Sequence, residues 1–383
     1  MHYVIIGGGG FLGANLLSSL YKNGVKIKCI IVDPSPKLNS YETIAFDSAF
    51  VTYELGSFLD PEVLDRVLPN AVAVFHLCAI GHTGLFGADR YKDLVYNFNV
   101  NGTKKLIEKC KFHKVQRLVY SSSVAVNFVG KPFYNLTEDA PLPDPADYID
   151  TYSKTKAEAE RYVLSQSTDT FKTTCLRFRA IYGPQDLTVA EKVVRIVKKG
   201  WFQGRISQHG RESVSNMCAG ENCGTALFLA DKALEKNDSK HGQVYFIHDG
   251  CHIGQYSVWT PLIRALGRNP PGFSIPYQLI YSLTPFISWF CFEILHCEPP
   301  MTKFELAILA NDNTYSIERA KKELGYNPEQ NLFSKTVEYY KKKFETCAES
   351  PFISTLDMYY ILYIVIALSV FYVSIFCLSL LFH

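Results

Sequence analysis

The chain opens with MHYVIIGGGGFLGANLL (residues 1–17), in which a short apolar run leads directly into four glycines. The run His2–Ile6 predicts a buried β-strand, and a helical pattern begins where the glycines end. Gly7, Gly10 and Gly13 then occupy a strand-to-helix turn. Glycines permit a tight bend and let a pyrophosphate approach the backbone, while the helix N-terminus offers free N–H groups and the positive end of its dipole. This stretch predicts a dinucleotide-binding turn.

An acidic residue supports this interpretation. Asp33 directly follows the next predicted strand, Lys28–Val32, and lies 20 residues after Gly13. A carboxylate at this place accepts hydrogen bonds from the adenosine ribose and repels a 2′-phosphate, so NAD is favoured over NADP. Phe11 and Leu12, the first residues of the predicted helix, complete the expected cofactor-binding set.

Strands and helices alternate through the first half of the chain. Such alternation indicates βαβ units and a parallel sheet that is covered on both faces. The predicted helices are Phe11–Lys22, Pro61–Leu68 and Val100–Cys110, and the further strands are Val51–Glu54, Ala71–Leu77, Arg117–Ser121, Thr174–Tyr182 and Gln243–His248. We therefore predict an α/β fold of the Rossmann type, a doubly wound parallel sheet, with a smaller C-terminal substrate lobe.

The alternation is lost in two stretches that carry Pro and Gly. We predict that residues 1–184 and roughly 225–250 form the nucleotide-binding domain, and that residues 185–224 and 251–343 form the substrate lobe. Residues 344–358 are predicted to be a linker.

The C-terminal part of the chain differs sharply in composition from the rest. Residues 359–382 read YYILYIVIALSVFYVSIFCLSLLF, 24 residues without a charged side chain. A helix of that length covers about 36 Å, more than the roughly 30 Å hydrocarbon core of a bilayer. We predict a single-pass C-terminal transmembrane anchor with a cytosolic catalytic domain, in agreement with the lysines upstream of it. The first residues lack the basic leader of a signal peptide, and we expect the membrane of the endoplasmic reticulum.

A second apolar stretch, Ile275–Cys297, contains Pro285 and Glu293. These interruptions disfavour a free membrane span. The stretch is predicted either to form a pair of core helices in the lobe, or to form the wall of an apolar substrate tunnel or a shallow membrane contact.

Tyr152 and Lys156 form a Y-x-x-x-K motif in DTYSKTKAEAERYVL, a segment of good helix formers. The i, i+4 spacing puts both side chains on one helical face. A tyrosine hydroxyl titrates at about 10, and an adjacent ammonium favours its phenolate, so the pair is suited to proton transfer near neutral pH. Tyr339 and Lys343 repeat the motif in KTVEYYKKKFE, where we expect a solvated helix face.

Three serines strengthen the assignment to Tyr152. Ser121, Ser122 and Ser123 end a predicted strand, and Ser123 lies 29 residues before the tyrosine. Parallel-sheet enzymes place reacting groups at the carboxyl ends of strands. A serine there can hydrogen-bond the substrate oxygen while Tyr152 exchanges its proton. Ser123 is the candidate, with Ser122 as its neighbour.

Composition and the remaining motifs exclude several other classes of protein. The 383 residues are 48% hydrophobic and carry a formal net charge of +2, which excludes wholesale disorder and a strongly basic nucleic-acid-binding domain. The 11 cysteines include no C-x-x-C pair and are predicted to be reduced thiols. The sequence contains neither a metal-ligand spacing nor a G-x-S-x-G motif. His76 and Asn99 receive no chemical role from pattern alone.

Together, these motifs resemble those of the extended short-chain dehydrogenases/reductases. The resemblance rests on GGGGFLG (residues 7–13), NVNGT (99–103), SSS (121–123) and YSKTK (152–156). LRFRAIYGPQD (176–186), GQVYFIHDG (242–250) and KKELGYNP (321–328) are similar to the 3β-hydroxysteroid dehydrogenase branch, which includes the sterol-4α-carboxylate 3-dehydrogenases. DPSP after the second strand, VKKGWF (197–202) and the C-terminal anchor are most similar to short-chain dehydrogenase family 42E.

The resemblance covers about residues 1–343 and implies a nicotinamide cofactor and oxidation of a ring hydroxyl on a steroid or sterol. It implies that Tyr152 is the proton acceptor, that Lys156 is its partner and a ribose ligand, and that Ser123 donates a hydrogen bond to the substrate oxygen.

The chain departs from the family pattern at three positions. Ile6 stands where the family usually has Thr, Gly56-Ser57 where it has Gly-Asp, and Phe178 where it has the proline of Leu-Arg-Pro. The first two departures are expected to weaken cofactor binding. The run Ser215–Asn222 also differs from the family's VYVDN-type segment. The substrate lobe is therefore expected to match the family pattern less closely than the nucleotide-binding domain does.

We therefore predict a membrane-anchored, NAD-dependent oxidoreductase that acts on the 3β-hydroxyl or 3-keto group of a steroid or sterol. Two alternatives stay open. One is a nucleotide-sugar epimerase or reductase on the same fold, with Arg205 and Arg211 as candidates for a diphosphate clamp. The other is a nucleotide-sensing binding protein without catalysis. The sequence leaves open the exact steroid, the physiological direction, an isomerase activity and homodimer formation.

Overall fold

The structure, a computed structural model, describes residues 1–35, 50–81, 89–208, 210–236, 240–294 and 301–346, together with residues 296 and 299. The strands in these ranges are β1 (His2–Ile6), β2 (Lys28–Asp33), β3 (Val51–Leu55), β4 (Ala71–His76), β5 (Arg117–Ser123), β6 (Phe133–Leu136), β7 (Lys172–Phe178), β8 (Ile181–Tyr182), β9 (Gly204–Ser207), β10 (Val214–Ser215), β11 (Cys218–Ala219), β12 (Gln243–Ile247), β13 (Ile253–Gly254), β14 (Phe273–Pro276) and β15 (Asn313–Tyr315). The helices are α1 (Phe11–Lys22), α2 (Pro61–Val67), α3 (Lys92–Tyr96), α4 (Gly102–Phe112), α5 (Thr151–Ser165), α6 (Ala190–Lys198), α7 (Gly220–Glu235), α8 (Thr260–Ala265), α9 (Tyr277–Glu293), α10 (Lys303–Ala310), α11 (Glu318–Leu324) and α12 (Phe333–Thr346).

Seven parallel strands form the central sheet, in the order β12-β7-β5-β4-β1-β2-β3. β1 pairs with β2 on one side and with β4 on the other, so the strand order reverses at β1. Loops that follow strands on either side of such a switch point separate and leave a crevice for a ligand. The predicted doubly wound α/β sheet is confirmed.

Successive residues of β1 enter opposite cores. Tyr3 and Ile5 pack in the cluster that contains residues of α1, α7 and α11, whereas Val4 and Ile6 pack in the cluster that contains residues of α2, α4 and α5. Because helices cover both faces of the sheet, its inner strands are continuous apolar runs rather than alternating ones. This burial explains why β1 and α1 occur within the predicted bounds.

The predicted strand Thr174–Tyr182 is wrong as a single element. β7 ends at Phe178, and the next two-residue strand, β8, pairs with β11 outside the central sheet. Between them Ala180 has a φ of 38°, in the left-handed region that non-glycine residues rarely adopt. This backbone conformation turns the chain out of the sheet.

The part of the chain assigned to the substrate lobe contains short strands that the sequence analysis did not predict. β9 pairs with β14 and β10 with β13, whereas β15 pairs with β6 from the part assigned to the nucleotide-binding domain. Strands of two to four residues are too short to show a periodic pattern, which is why they escaped prediction. Not every element of the predicted lobe lies apart from the sheet, because Ala320 and Leu324 of α11 belong to the core cluster that covers one face of it.

Within the apolar stretch Ile275–Cys297, the described residues form one continuous helix, α9 (Tyr277–Glu293), with Pro285 inside it, and not a pair of helices. Tyr277 and Ile280 pack against a small cluster around Ile206 and Leu306.

The other side of α9 is not covered. Leu279 is 52% exposed, Phe286 45% and Trp289 53%. Within the described ranges, no helix combines the length and the apolar character needed to cross a bilayer. The predicted transmembrane anchor at residues 359–382 lies outside these ranges.

Candidate active site

The glycine turn after β1 has the geometry that a dinucleotide requires. Gly7 adopts a φ of 76°, which allows the chain to bend sharply out of the strand. A Cβ on Gly13 would lie 2.3 Å from the carbonyl oxygen of Gly8, so only glycine lets α1 pack this closely on the turn. Gly10 is the N-cap of α1, and no side chain caps the helix there. The N-terminus of α1, the positive end of its helix dipole, therefore begins directly at the glycine turn, where an anionic ligand is favoured.

Asp33 stands at the carboxyl end of β2, directly beside this turn. One carboxylate oxygen accepts a hydrogen bond from the backbone N–H of Gly9 at 3.1 Å, and the other accepts one from Ser35 N–H at 2.9 Å. The structure thus brings the predicted acidic residue to the glycine turn. An uncapped helix terminus and an adjacent carboxylate fit a dinucleotide with an unphosphorylated adenosine ribose.

Tyr152 and Lys156 lie in the first turns of α5, as the motif predicts. Asp150 starts the helix by accepting a hydrogen bond from Ser153 N–H at 2.8 Å. The Lys156 ammonium donates to the carbonyl oxygen of Ser121 at 2.5 Å and lies 4.3 Å from the centre of the Tyr120 ring. Burial lowers the pKa of Lys156 to about 8.

Ser123 and Tyr152 are brought together, as predicted. Their side chains are hydrogen-bonded, and this bond lowers the pKa of the phenol. Burial acts more strongly in the opposite direction, Asp150 adds to it, and the pKa of Tyr152 rises to about 12. In the protein alone the pKa of Tyr152 is thus raised and not lowered as the motif predicts, because burial outweighs the bond with Ser123.

A buried carboxylate that the sequence analysis missed holds α5 against the sheet. Glu160 accepts a hydrogen bond from Ser122 Oγ at 2.5 Å and forms a buried ion pair with Arg177 of β7, at 2.6 Å between Nη2 and Oε1. Glu160 follows Tyr152 by eight residues and Lys156 by four, so the i, i+4 spacing carried a signal for a third inward-facing residue. It positions the helix that carries both catalytic candidates.

Asn99 also has a positioning role. Its side-chain amide accepts from Ile80 N–H at 3.0 Å and donates to Ile80 O at 2.9 Å, and it donates to Thr155 Oγ1 of α5 at 3.0 Å. Asn99 lies in a π-helical turn, a feature that is frequent at functional sites. It ties the loop that follows β4 to α5.

His76 is buried and is held in its neutral form. Burial lowers its pKa to about 3, and Nε2 lies 2.9 Å from Thr103 Oγ1. The neutral ring is part of the core between the sheet and α4.

A single cavity of about 640 Å³ contains the three catalytic candidates in its wall. Phe11 and Leu12, which follow the glycine turn, are also part of this wall. The rest is largely apolar and includes Ile196, Trp201, Phe202, Ile206, Tyr256, Trp259, Ile275, Met301, Phe304 and Ile308. Such a volume, with few polar groups among many apolar ones, is typical of a small-molecule site. The wall residue Ile275 agrees with the predicted tunnel wall.

The other motif-based candidates do not line this cavity. Tyr339 and Lys343 lie on α12, where both are half-buried rather than solvated, and Lys343 pairs with Glu191 at 2.9 Å. Arg205 donates to Ser274 Oγ at 2.9 Å, and Arg211 forms an ion pair with Asp312.

The three departures from the family pattern have ordinary local environments. Ile6 is buried in the core between the sheet and α2. Ser57 accepts a hydrogen bond from Leu59 N–H at 3.2 Å, which stabilises the turn after β3. Phe178 belongs to the wall of the cavity.

Comparison with known proteins identifies the family. Residues 4–276 match the 3-beta hydroxysteroid dehydrogenase/isomerase family. The chain belongs to this family. The family and the enzyme class predicted from the sequence are thereby confirmed.

Two relatives illustrate the similarity. Over 290 residues this chain is 34% identical to a 3beta-hydroxysteroid dehydrogenase/Delta(5)-Delta(4) isomerase 1 of Caenorhabditis elegans, and the alignment covers 76% of this chain and 62% of the nematode protein. The chain thus spans less than two thirds of that relative. It is 31% identical over 352 residues to the short-chain dehydrogenase/reductase family 42E member 1 of Xenopus laevis, with 88% and 87% covered.

Solved structures share the fold. A dTDP-glucose 4,6-dehydratase from Bacillus anthracis, solved in complex with NAD, superposes with a TM-score of 0.66 at 21% identity and covers 90% of this chain and 98% of its own. At this level of identity the similarity establishes the Rossmann-type fold only.

Proposed function

We propose that the protein is an NAD-dependent oxidoreductase that interconverts the 3β-hydroxyl and 3-keto groups of a steroid or sterol. The observation that carries this proposal is one cavity whose wall contains Ser123, Tyr152 and Lys156 together with Phe11 and Leu12, the first residues of α1 after the glycine turn. Its apolar remainder suits a fused-ring hydrocarbon that needs few polar contacts. The name of the nematode relative supports the same substrate class.

The chain's own residues account for each step except hydride acceptance. Asp33 would hold the adenosine ribose of NAD, the N-terminus of α1 would hold the pyrophosphate, and Lys156 would hold the nicotinamide ribose. NAD, when bound, supplies the hydride acceptor. Ser123 holds the substrate oxygen, and Tyr152 takes the hydroxyl proton as the C–H bond breaks. The alcohol loses a hydride and a proton, and a ketone remains. Positioned proton transfer of this kind contributes about 10²–10⁴-fold to the rate.

The preference for NAD over NADP rests on Asp33. Its carboxylate is held beside the glycine turn by two backbone N–H groups, where a 2′-phosphate would meet negative charge. We expect kcat/KM to be higher with NAD than with NADP. Asp33→Asn should reduce the ratio of the NAD value to the NADP value, because it removes the repulsion of the 2′-phosphate. An unchanged ratio would assign cofactor choice to another residue.

The proposal is tested by removing the reacting phenol. Tyr152→Phe keeps the ring and deletes the hydroxyl, so we expect NADH formation with accepted 3β-hydroxysteroids to fall by at least about 10²-fold. Tyr339→Phe is the matched control, because Tyr339 belongs to the second Y-x-x-x-K motif and lies outside the cavity wall. Urea unfolding of both variants checks the fold. Full turnover by Tyr152→Phe, or no turnover of any 3-hydroxysteroid by the unsubstituted protein, would overturn the proposal.

We also propose that residues 359–382 anchor the protein in the endoplasmic reticulum membrane with the cavity on the cytosolic side. The absence of charge over 24 residues supports this arrangement, and a lipid-soluble substrate makes it useful.

A further inference from the structure

The charges in the cavity wall are not balanced. Among the described residues, the wall contains three cations, Lys156, Arg179 and Lys192, and one carboxylate, Glu305. Lys192 forms an ion pair with Glu305. Lys156 is accounted for by its place beside Tyr152 and by the ribose that it would hold. The guanidinium of Arg179 is the remaining charge.

Arg179 lies beside the catalytic serine. It follows the last residue of β7, Phe178, whose partner in the register of β5 is Ser123. Neighbouring strands are about 4.8 Å apart, so the backbone of Arg179 begins within about two residue lengths of Ser123. The left-handed conformation of Ala180 ends the strand here and keeps Arg179 at the edge of the cavity.

The guanidinium is buried and is held by neutral groups. Arg179 is 7% exposed. Nε donates to Ser215 Oγ at 2.9 Å and to Asn313 Oδ1 at 3.2 Å, and Nη2 donates to Gln255 Oε1 at 3.2 Å. Ser215 and Gln255 also belong to the cavity wall.

These bonds leave donors unused. A guanidinium carries five N–H groups, and the bonds to Ser215, Asn313 and Gln255 engage Nε and Nη2 only. In the described part of the chain no carboxylate forms an ion pair with Arg179, and burial lowers its pKa, as it does for a cation without an anionic partner. A buried charge of this kind is costly unless an anion compensates it.

We propose that Arg179 binds an oxyanion carried by the substrate, a carboxylate in the first place, and that the protein therefore prefers acidic to neutral hydroxysteroids. The planar guanidinium matches a carboxylate through two parallel hydrogen bonds. Ser215, Gln255 and Asn313 hold the guanidinium in one orientation. This inference rests on the proposed function and names the chemical class that the apolar cavity selects.

The test compares matched pairs of substrates. Each pair consists of a 3β-hydroxysteroid carboxylic acid and its methyl ester. In the first pair the carboxyl group is on the ring system, and in the second it is at the end of the side chain. A 3β-hydroxysteroid that is sulfated elsewhere on the skeleton serves as a second kind of oxyanion. We expect kcat/KM for at least one acid to exceed that of its ester by about 10- to 100-fold, the range for a hydrogen bond to a charged group. Arg179→Gln should abolish this preference, and the loss should appear as a higher KM for the acid. Arg179→Lys keeps the positive charge but cannot form the two parallel hydrogen bonds of a guanidinium, so it should retain part of the preference for the acid.

A control separates charge in the cavity from charge elsewhere in the lobe. Arg205→Gln removes one positive charge next to the wall residue Gly204, but its guanidinium donates to Ser274 outside the cavity wall. We expect Arg205→Gln to leave the ratio of acid to ester unchanged. If Arg205→Gln lowers the preference for the acid over the ester as much as Arg179→Gln does, the assignment of the anion site to Arg179 is wrong.

Binding measurements keep this inference distinct from the proposed function. In the Tyr152→Phe background, the dissociation constants of acid and ester are measured by calorimetry with and without Arg179→Gln, and that of NAD is measured alongside. Tighter binding of the acid that depends on Arg179, with NAD affinity unchanged, supports the inference even without turnover. Equal affinities for acid and ester, or an equal loss of NAD binding, overturn it. Turnover of neutral steroids alone would leave the proposed function standing and reject the anion site.

Discussion

Tyr152 faces two opposing demands. In the proposed reaction its hydroxyl must reach an apolar substrate, which requires burial, and it must give up a proton, which burial resists. The structure shows the outcome for the protein alone, since the pKa of Tyr152 rises to about 12 while that of Lys156 falls to about 8. Both shifts have burial as their main cause, so both groups are held nearer to their neutral forms.

A pH profile follows from these directions. Oxidation needs the phenolate of Tyr152, whose fraction increases tenfold per pH unit below its pKa, so kcat/KM for oxidation should rise with pH from 6 upward. The rise should become shallower above about 8, where Lys156 loses the charge that supports the phenolate. Reduction needs the protonated phenol and should show no such rise. Initial rates in both directions between pH 6 and 10 test this, and oxidation that slows steadily with rising pH would contradict it.

Lys156→Met provides the complementary measurement. Removing the ammonium should lower the oxidation rate and abolish the change of slope near pH 8, because we assign that change to the titration of Lys156. Persistence of that change of slope in Lys156→Met would assign it to a different residue.

At the level of elements, α5 is the part that assembles the site. Its inward face carries Tyr152, Lys156 and Glu160, and each contacts the carboxyl end of a neighbouring strand or the segment just after it. The buried pair of Glu160 with Arg177 joins the helix to β7. α5 therefore cannot shift without breaking buried polar contacts.

Glu160→Gln should be strongly destabilising. It leaves Arg177 buried without its counter-charge, and breaking such a pair costs about 3–5 kcal/mol. Urea unfolding measures the loss, and kcat should fall with it because α5 is no longer held in position.

The double variant Glu160→Leu with Arg177→Met is the matched control. Replacement of both partners of a buried ion pair by apolar residues is often close to neutral. If the double variant is as unstable as Glu160→Gln, the loss of stability does not come from an unpaired charge.

The glycine turn and α1 form a second unit with a sharp steric requirement. Gly13→Ala would place a Cβ 2.3 Å from Gly8 O, so we expect the turn to open, with a cost of about 1–3 kcal/mol and weaker NAD binding. Gly272→Ala is the control, because a Cβ there has no neighbour within 4 Å. Fluorescence titration with NAD and urea unfolding test both variants. Unchanged NAD affinity in Gly13→Ala would exclude this turn as the cofactor site.

The whole molecule combines a Rossmann-type core with two apolar features that the core does not explain. One is the exposed side of α9, with Leu279, Phe286 and Trp289. The other is the charge-free stretch at residues 359–382. α9 is adjacent to the cavity through β14 and α10, so a membrane that covered it would lie near the substrate site.

The anchor proposal is tested in the full chain. Leu368→Arg with Val373→Arg puts two charges near the middle of the stretch, each costing about 2.5–3.5 kcal/mol in a bilayer. We expect the unsubstituted protein to resist extraction from membranes by alkaline carbonate and the double variant to be released. Leu368→Ala with Val373→Ala is the control and should stay in the membrane. Release of the unsubstituted protein would reject the anchor.

The sequence was sufficient for the parts whose signal is local. β1, the glycine turn and α1 are adjacent in the chain. Because helices cover both faces of the sheet, its inner strands, including β1, are continuous apolar runs that can be recognised in the sequence. The i, i+4 spacing of Tyr152 and Lys156 places them on one face of a helix whatever that helix packs against. Fold class, family and catalytic candidates follow from such features.

Only the tertiary structure revealed what these elements meet. Glu160 pairs with Arg177, 17 residues away, and Arg179 contacts Asn313, 134 residues away. The end of β7 at Phe178 depends on the left-handed conformation of one residue, Ala180. Periodicity reports that a side chain is buried, but not which distant group it is buried against. The pKa of Tyr152 and the unbalanced charge of Arg179 arise from those distant neighbours, and therefore they became visible only in the folded chain.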